Sequence, residues 1–125
     1  MSRLLAIIAV GGALGSVGRY LLQLLVARHF VHPFPLGTLL VNVLGCLLIG
    51  FFYAAAERGT IGSPELRLLL TTGFCGGFTT FSTFSYETIA LLTDGEYAYG
   101  ALYVAGSVLL GLGATFAGVV AVRFL

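Results

Sequence analysis

The chain has 125 residues, 58% of them hydrophobic and only 9% charged, with a formal net charge of +1. Six arginines and five acids cannot clothe a water-facing surface, since an ordinary globular domain is about a quarter charged. A soluble enzyme, a nucleic-acid binder and a disordered chain are excluded, and without any lysine neither a P-loop nor a Schiff base is available.

A helix crossing a hydrocarbon core roughly 30 Å thick needs about 20 mostly apolar residues. The first such stretch, 4–27, is interrupted only by Arg19, Gln23 and small residues. Its basic start and the run Leu4 to Val10 resemble a secretory leader, but apolar character continues through Leu25, which reads as a span. Gly12, Ser16, Arg19 and Gln23 form a polar stripe along it. Gly11 and Gly15 have the spacing of close helix packing. Arg19 is either a snorkelling cation or a polar group inside the bundle.

Pro33 and Pro35 mark a loop, in which His29 and His32 read as solvated. The second span, 36–56, carries no charge. On it Thr38, Asn42, Cys46 and Gly50 recur every fourth residue and share a face. A carboxamide in mid-span requires partners or a ligand, so Asn42 is the sharpest single residue. Cys46, like Cys75 in the next span, reads as a small packing residue, and two such cysteines with two loop histidines make no zinc set.

Gly59, Gly62 and Pro64 precede the third span, 68–92. Between Thr71 and Ser85 it holds Gly73, Gly76 and Gly77 and seven hydroxyl residues. Each glycine weakens a helix by about 1 kcal/mol relative to alanine. Serine and threonine compete for backbone hydrogen bonds. A break near 76–79 is therefore predicted, and non-helical backbone at that depth is tolerated only when buried in protein or lining a cavity. Phe78, Phe81 and Phe84, three residues apart, are predicted to share one drifting face beyond it. Aromatic ring edges carry positive potential and can face an anion. Glu87 is the only acid within a span, at the headgroup boundary or the mouth of a path.

Asp94 and Gly95 lead to a fourth span, 98–122, again uncharged. Tyr99, Tyr103, Ser107, Gly111 and Thr115 stripe it. Arg3, Arg58, Arg67 and Arg123 fall at one end of these spans and Arg28 at the other, which places both termini in the cytoplasm by the positive-inside rule. The predicted fold is an all-α integral membrane protein: one domain of four transmembrane helices, the third broken near its middle. A single buried hydroxyl is ordinary helix packing. Three polar stripes in so short a chain, beside a broken helix, point to a hydrated or ion-conducting path.

Three motifs, Gly11-Gly12-Ala13-Leu14-Gly15-Ser16-Val17-Gly18-Arg19-Tyr20, Gly37-Thr38-Leu39-Leu40-Val41-Asn42-Val43-Leu44-Gly45 and GFCGGFTTFSTF over 73–84, resemble the bacterial fluoride channel family (Fluc, also called CrcB). The resemblance covers essentially the whole chain. It implies an antiparallel, dual-topology homodimer in the bacterial cytoplasmic (inner) membrane, with two pores that export cytoplasmic fluoride passively. It implies that Phe81, Phe84 and Asn42 belong to the pore, together with a polar track of Thr38, Ser82, Thr83, Glu87, Tyr103 and Ser107. It further implies a structural Na⁺ at the dimer centre, bound by the main-chain carbonyls of Gly76 and Thr79. The hydroxyl track often runs one turn past the position of Ser107, where this chain has Gly111. A small dual-topology drug/proton antiporter is the alternative, and requires a membrane-embedded carboxylate. A purely structural membrane subunit is a third reading. An enzyme is disfavoured, because no base–nucleophile pair or metal set is present.

Overall fold

Helices begin and end where the turn chemistry is strongest. Gly59 and Gly95 adopt φ of 79° and 80°, the left-handed conformation that ends a helix without a Cβ penalty. Ser63 opens a new helix by accepting the Leu66 N–H on its hydroxyl at 3.2 Å, with Pro64 at the first helical position. In this computed structural model, which describes residues 1–125, all the regular structure is helical. The order is α1 (Ser2–His29), α2 (Leu36–Glu57), α3 (Pro64–Leu68), a π-helical segment (Leu69–Cys75), α4 (Gly76–Phe78), α5 (Phe81–Thr93), α6 (Tyr97–Ala121) and a closing 3-10 turn (Val122–Phe124).

Three segments, Ser2–His29, Leu36–Glu57 and Tyr97–Phe124, are each long and apolar enough to cross a membrane as single helices. The third predicted span is not one helix. It starts at Pro64, before the predicted Leu68, and widens into π geometry. It then breaks at Thr79 and Thr80, whose backbones are extended (ψ 156°, and φ −149° with ψ 107°). Thr80 caps α5 by accepting the Thr83 N–H at 3.1 Å. The break lies at the C-terminal edge of the 76–79 window. It leaves Phe78 on the near side, so the face expected for Phe78, Phe81 and Phe84 does not exist. Phe78 is buried and stacks on Phe74 with centroids 5.5 Å apart, whereas Phe81 is 79% exposed.

The glycines expected to unwind the third span stay helical, and two of them serve close packing. Gly77 lies against the Gly12 carbonyl, and Gly73 against the Gly11 Cα. Gly15 faces the Phe74 carbonyl and the Phe78 N–H. Gly11 and Gly15 thus carry α1 onto the broken helix. On the other side Gly50 faces the Thr115 carbonyl and Gly118 faces Leu47 and Phe51, which draws α2 onto α6. A Cβ on Gly15 would fall inside the radius of backbone atoms that cannot rotate away. Gly15→Val is expected to cost more than about 3 kcal/mol by overpacking and to abolish a monodisperse size-exclusion peak in detergent. Gly106→Ala, whose Cβ meets nothing within 4 Å, is the control and should elute as wild type.

Only 19 of 125 residues are buried, and a small cluster of Leu39, Leu91 and Tyr103 forms the core. Leu5, Val10, Leu14, Val17, Leu21 and Leu25 all point outward from α1. That surface suits lipid or another apolar protein face and not water. Apart from Arg19, the arginines lie at or beyond helix ends, as the sequence suggests. Arg58 Nη1 donates to the Val122 carbonyl at 2.7 Å, and Arg67 lies 5.2 Å over the Tyr53 ring. At the same end, backbone hydrogen bonding, the Ser63 hydroxyl and the nearby charge of Arg3 hold the Glu65 carboxyl below its ordinary value. His29 is the last residue of α1 and not a loop residue.

Candidate functional site

Breaking a helix inside a membrane orphans backbone groups, and each must find a partner. Three side chains from two helices serve the break. Asn42, on the polar face of α2, donates from Nδ2 to the Thr80 carbonyl at 3.1 Å and accepts the Thr80 N–H on Oδ1 at 2.8 Å. One carboxamide therefore satisfies both backbone groups of Thr80 and still has a second, uncommitted N–H. Arg19 on α1 donates from Nη1 to the Thr79 carbonyl at 3.1 Å, so it is turned inward and does not snorkel. Ser16, one turn earlier, donates weakly to the Gly77 carbonyl at 3.5 Å.

The break opens beside a cavity of about 390 Å³. Asn42, Cys46, Thr80, Phe81, Phe84 and Ser107 line it. The Phe81 and Phe84 rings lie 5.6 Å apart and are inclined at 50°. Ser107 Oγ is buried and is the one buried side-chain polar atom with no hydrogen-bond partner. A buried hydroxyl without a partner carries a desolvation cost of about 1–3 kcal/mol unless a ligand or water meets it.

A second cavity, of about 240 Å³, includes Gln23, His32, Phe34, Thr38 and Glu87 in its wall. Gln23 Nε2 donates to the Thr38 hydroxyl at 3.1 Å. Phe84, in the wall of the first cavity, packs on Tyr103 with ring centroids 5.1 Å apart, and Tyr103 Oη donates at 3.0 Å to Oε1 of Glu87, in the wall of the second. His32 is not merely solvated. It accepts the Phe34 N–H on Nδ1 at 3.0 Å and packs edge-on to Tyr99 at 5.1 Å.

The residues expected to share one track are therefore divided. Asn42, Phe81, Phe84 and Ser107 meet in the inner cavity, and Thr38 and Glu87 line the outer one. Tyr103 joins the two groups. Ser82 and Thr83 lie in neither cavity wall and cluster on the Thr80 hydroxyl, at 3.3 and 3.0 Å. Thr79 sits at the break and in the wall of the inner cavity, whereas Gly76 lies in the last helical turn before it. The sequence reading missed the Cys46 thiol as a wall group. Its place on the Thr38–Asn42–Cys46–Gly50 stripe was the available signal.

This arrangement holds neutral donors and two aromatic rings around a cavity, with the nearby cation, Arg19, drawn onto a carbonyl. It can replace part of a small anion's water shell without trapping the ion at a full charge.

Residues 6–119 match the family model described as CrcB-like protein, Camphor Resistance (CrcB). The chain is 56% identical to the Fluoride-specific ion channel FluC of Geobacter sulfurreducens over 123 residues, 98% of each chain. It is 54% identical to the Fluoride-specific ion channel FluC of Chlorobaculum tepidum over 112 residues, 90% of this chain and 88% of the relative. A third relative of the same description, from Leptospira interrogans, is 49% identical over 118 residues, 94% and 93% of the two chains.

Proposed function

Since this chain belongs to the CrcB-like protein family, we propose that it is a fluoride-selective channel that lets cytoplasmic fluoride leave down its gradient. It is an ion channel of the membrane and not an enzyme. The observation that carries this reading is the buried, unpartnered Ser107 hydroxyl, which shares a cavity with the uncommitted Asn42 N–H and the Phe81 and Phe84 rings. Fluoride is small and strongly hydrated, so only a surface of strong donors offsets its dehydration. The hydroxyl and the carboxamide supply those donors. Ring edges add weak positive potential, which keeps binding loose enough for exit. Tyr103 and Glu87 link this inner site to the outer cavity, which is the mouth of the path.

The chain crosses the membrane four times in this reading, the two pieces of the third segment making one passage. Two copies pair in opposite senses in the bacterial inner membrane and form two pores. Phe81, 79% exposed in a single copy at the open side of the inner cavity, supports a second copy as its cover. The chemistry of the break also fits a structural Na⁺. Thr80's N–H goes to Asn42, which deprives the Gly76 carbonyl of its usual donor four residues on. The Thr79 carbonyl keeps a lone pair beyond the one that Arg19 occupies. Two neutral carbonyl oxygens per chain are hard ligands suited to a small monovalent cation. When bound, the ion would neutralise carbonyl dipoles that otherwise repel an anion.

Purified protein in liposomes tests the proposal. Fluoride efflux, read with a fluoride electrode, should far exceed that of protein-free vesicles, while chloride efflux should not. Efflux no faster than from protein-free vesicles would overturn it. Proton-driven uptake of an organic cation would favour the antiporter instead.

A further inference from the structure

Cys46 lies one helical turn past Asn42 on α2, and its half-buried side chain lines the same cavity as Ser107. On the facing stripe of α6, the residue one turn past Ser107 is Gly111. A Cβ built on Gly111 would meet Cys46 Sγ at 3.5 Å, so the two positions face each other. Gly111 has no side chain to offer. At this level the thiol is the only side-chain polar group that the two stripes present. The unpartnered, buried Ser107 hydroxyl in the same wall marks the cavity as a place where a ligand is expected.

We propose that the Cys46 thiol lines the ion path, as the weak-donor step that follows the strong donors Asn42 and Ser107, and that enlarging this thiol covalently closes the path. The inference rests on the conduction reading and deepens it. An S–H group is a poor hydrogen-bond donor and is polarisable. It accompanies an anion without holding it, which favours release from the stronger donors. Cys75 makes the internal contrast. It is 1% exposed, its thiol lines neither cavity, and it has no role in the path.

The test uses methyl methanethiosulfonate on the full-length protein in liposomes. The Cys46 thiolate attacks the reagent's sulfenyl sulfur, a disulfide to the methylthio group forms, methanesulfinate departs with the bonding electron pair, and the thiol proton passes to water. Peptide mass mapping reports which cysteine has reacted, and fluoride efflux before and after treatment reports the consequence. Cys46 should react and Cys75 should not. Treated efflux should fall about tenfold in wild type and in Cys75→Ala, because a filled constriction excludes the ion. Cys46→Ala and Cys46→Ser should each change untreated efflux, yet show a treated-to-untreated ratio near one. Modification of Cys46 without loss of efflux would overturn the proposal, as would a Cys46 that reacts only after denaturation. Absence of fluoride efflux from untreated wild type would overturn the conduction reading, and this inference with it.

Discussion

Asn42→Leu should reduce fluoride efflux to that of protein-free vesicles and lower thermal stability in detergent. Leucine has the branching and the heavy-atom count of asparagine, so the substitution changes chemistry more than shape. The carboxamide now satisfies the Thr80 N–H and the Thr80 carbonyl, at 2.8 and 3.1 Å. Without it, both backbone groups are orphaned at the break, where water is scarce, at about 1–3 kcal/mol each. The cavity also loses the one N–H that Asn42 has to spare. Asn42→Asp separates the two effects. It keeps an acceptor for the Thr80 N–H but sets a negative charge against the Thr80 carbonyl and in the path proposed for the anion. It should fold better than Asn42→Leu and still conduct nothing. Fluoride efflux and detergent melting curves on the two variants decide the matter. Wild-type efflux from Asn42→Leu would remove the carboxamide from the path. An unchanged melting temperature would mean that water reaches Thr80.

Phe81→Ile should leave assembly intact and cut fluoride efflux by about tenfold or more, the equivalent of about 1.4 kcal/mol in the barrier to passage. The Phe81 ring is 79% exposed, so its replacement by another apolar side chain costs the single subunit little packing. What isoleucine cannot supply is the positive ring edge that the proposed path offers to a partly dehydrated anion. Phe84 is a less selective probe, because its ring also packs 5.1 Å from Tyr103 and supports the small core. Phe84→Ile would therefore combine a path defect with a packing defect. Size-exclusion profiles beside efflux rates distinguish the two variants. Normal efflux from well-assembled Phe81→Ile would take the ring out of the mechanism.

The break illustrates how local signals and tertiary contacts divide the work. Seven hydroxyls and three glycines between Thr71 and Ser85 announced that the third segment would not run as one helix. Which residues would leave the helix depended on contacts from elsewhere. The glycines remained helical because α1 and α2 pack against them or their neighbours. Thr79 and Thr80 became extended because Asn42, Arg19 and the Thr80 cap could satisfy their backbones. Phe78 was misassigned for the same reason. Its three-residue spacing from Phe81 loses meaning once an extended step lies between them.

By itself the sequence determined the membrane setting, the three long apolar helices, the broken third segment and the arginine-rich end. Each of these is written in a contiguous run of residues whose transfer energy or backbone preference is local. Only the tertiary structure decided how the polar stripes are used. It committed Asn42 to Thr80, left Ser107 without a partner, turned Arg19 onto a carbonyl, parted Thr38 and Glu87 from the inner cavity, and set Cys46 in its wall. A stripe specifies a face but not what lies opposite. Whether a donor is spent or free depends on atoms brought up from distant parts of the chain.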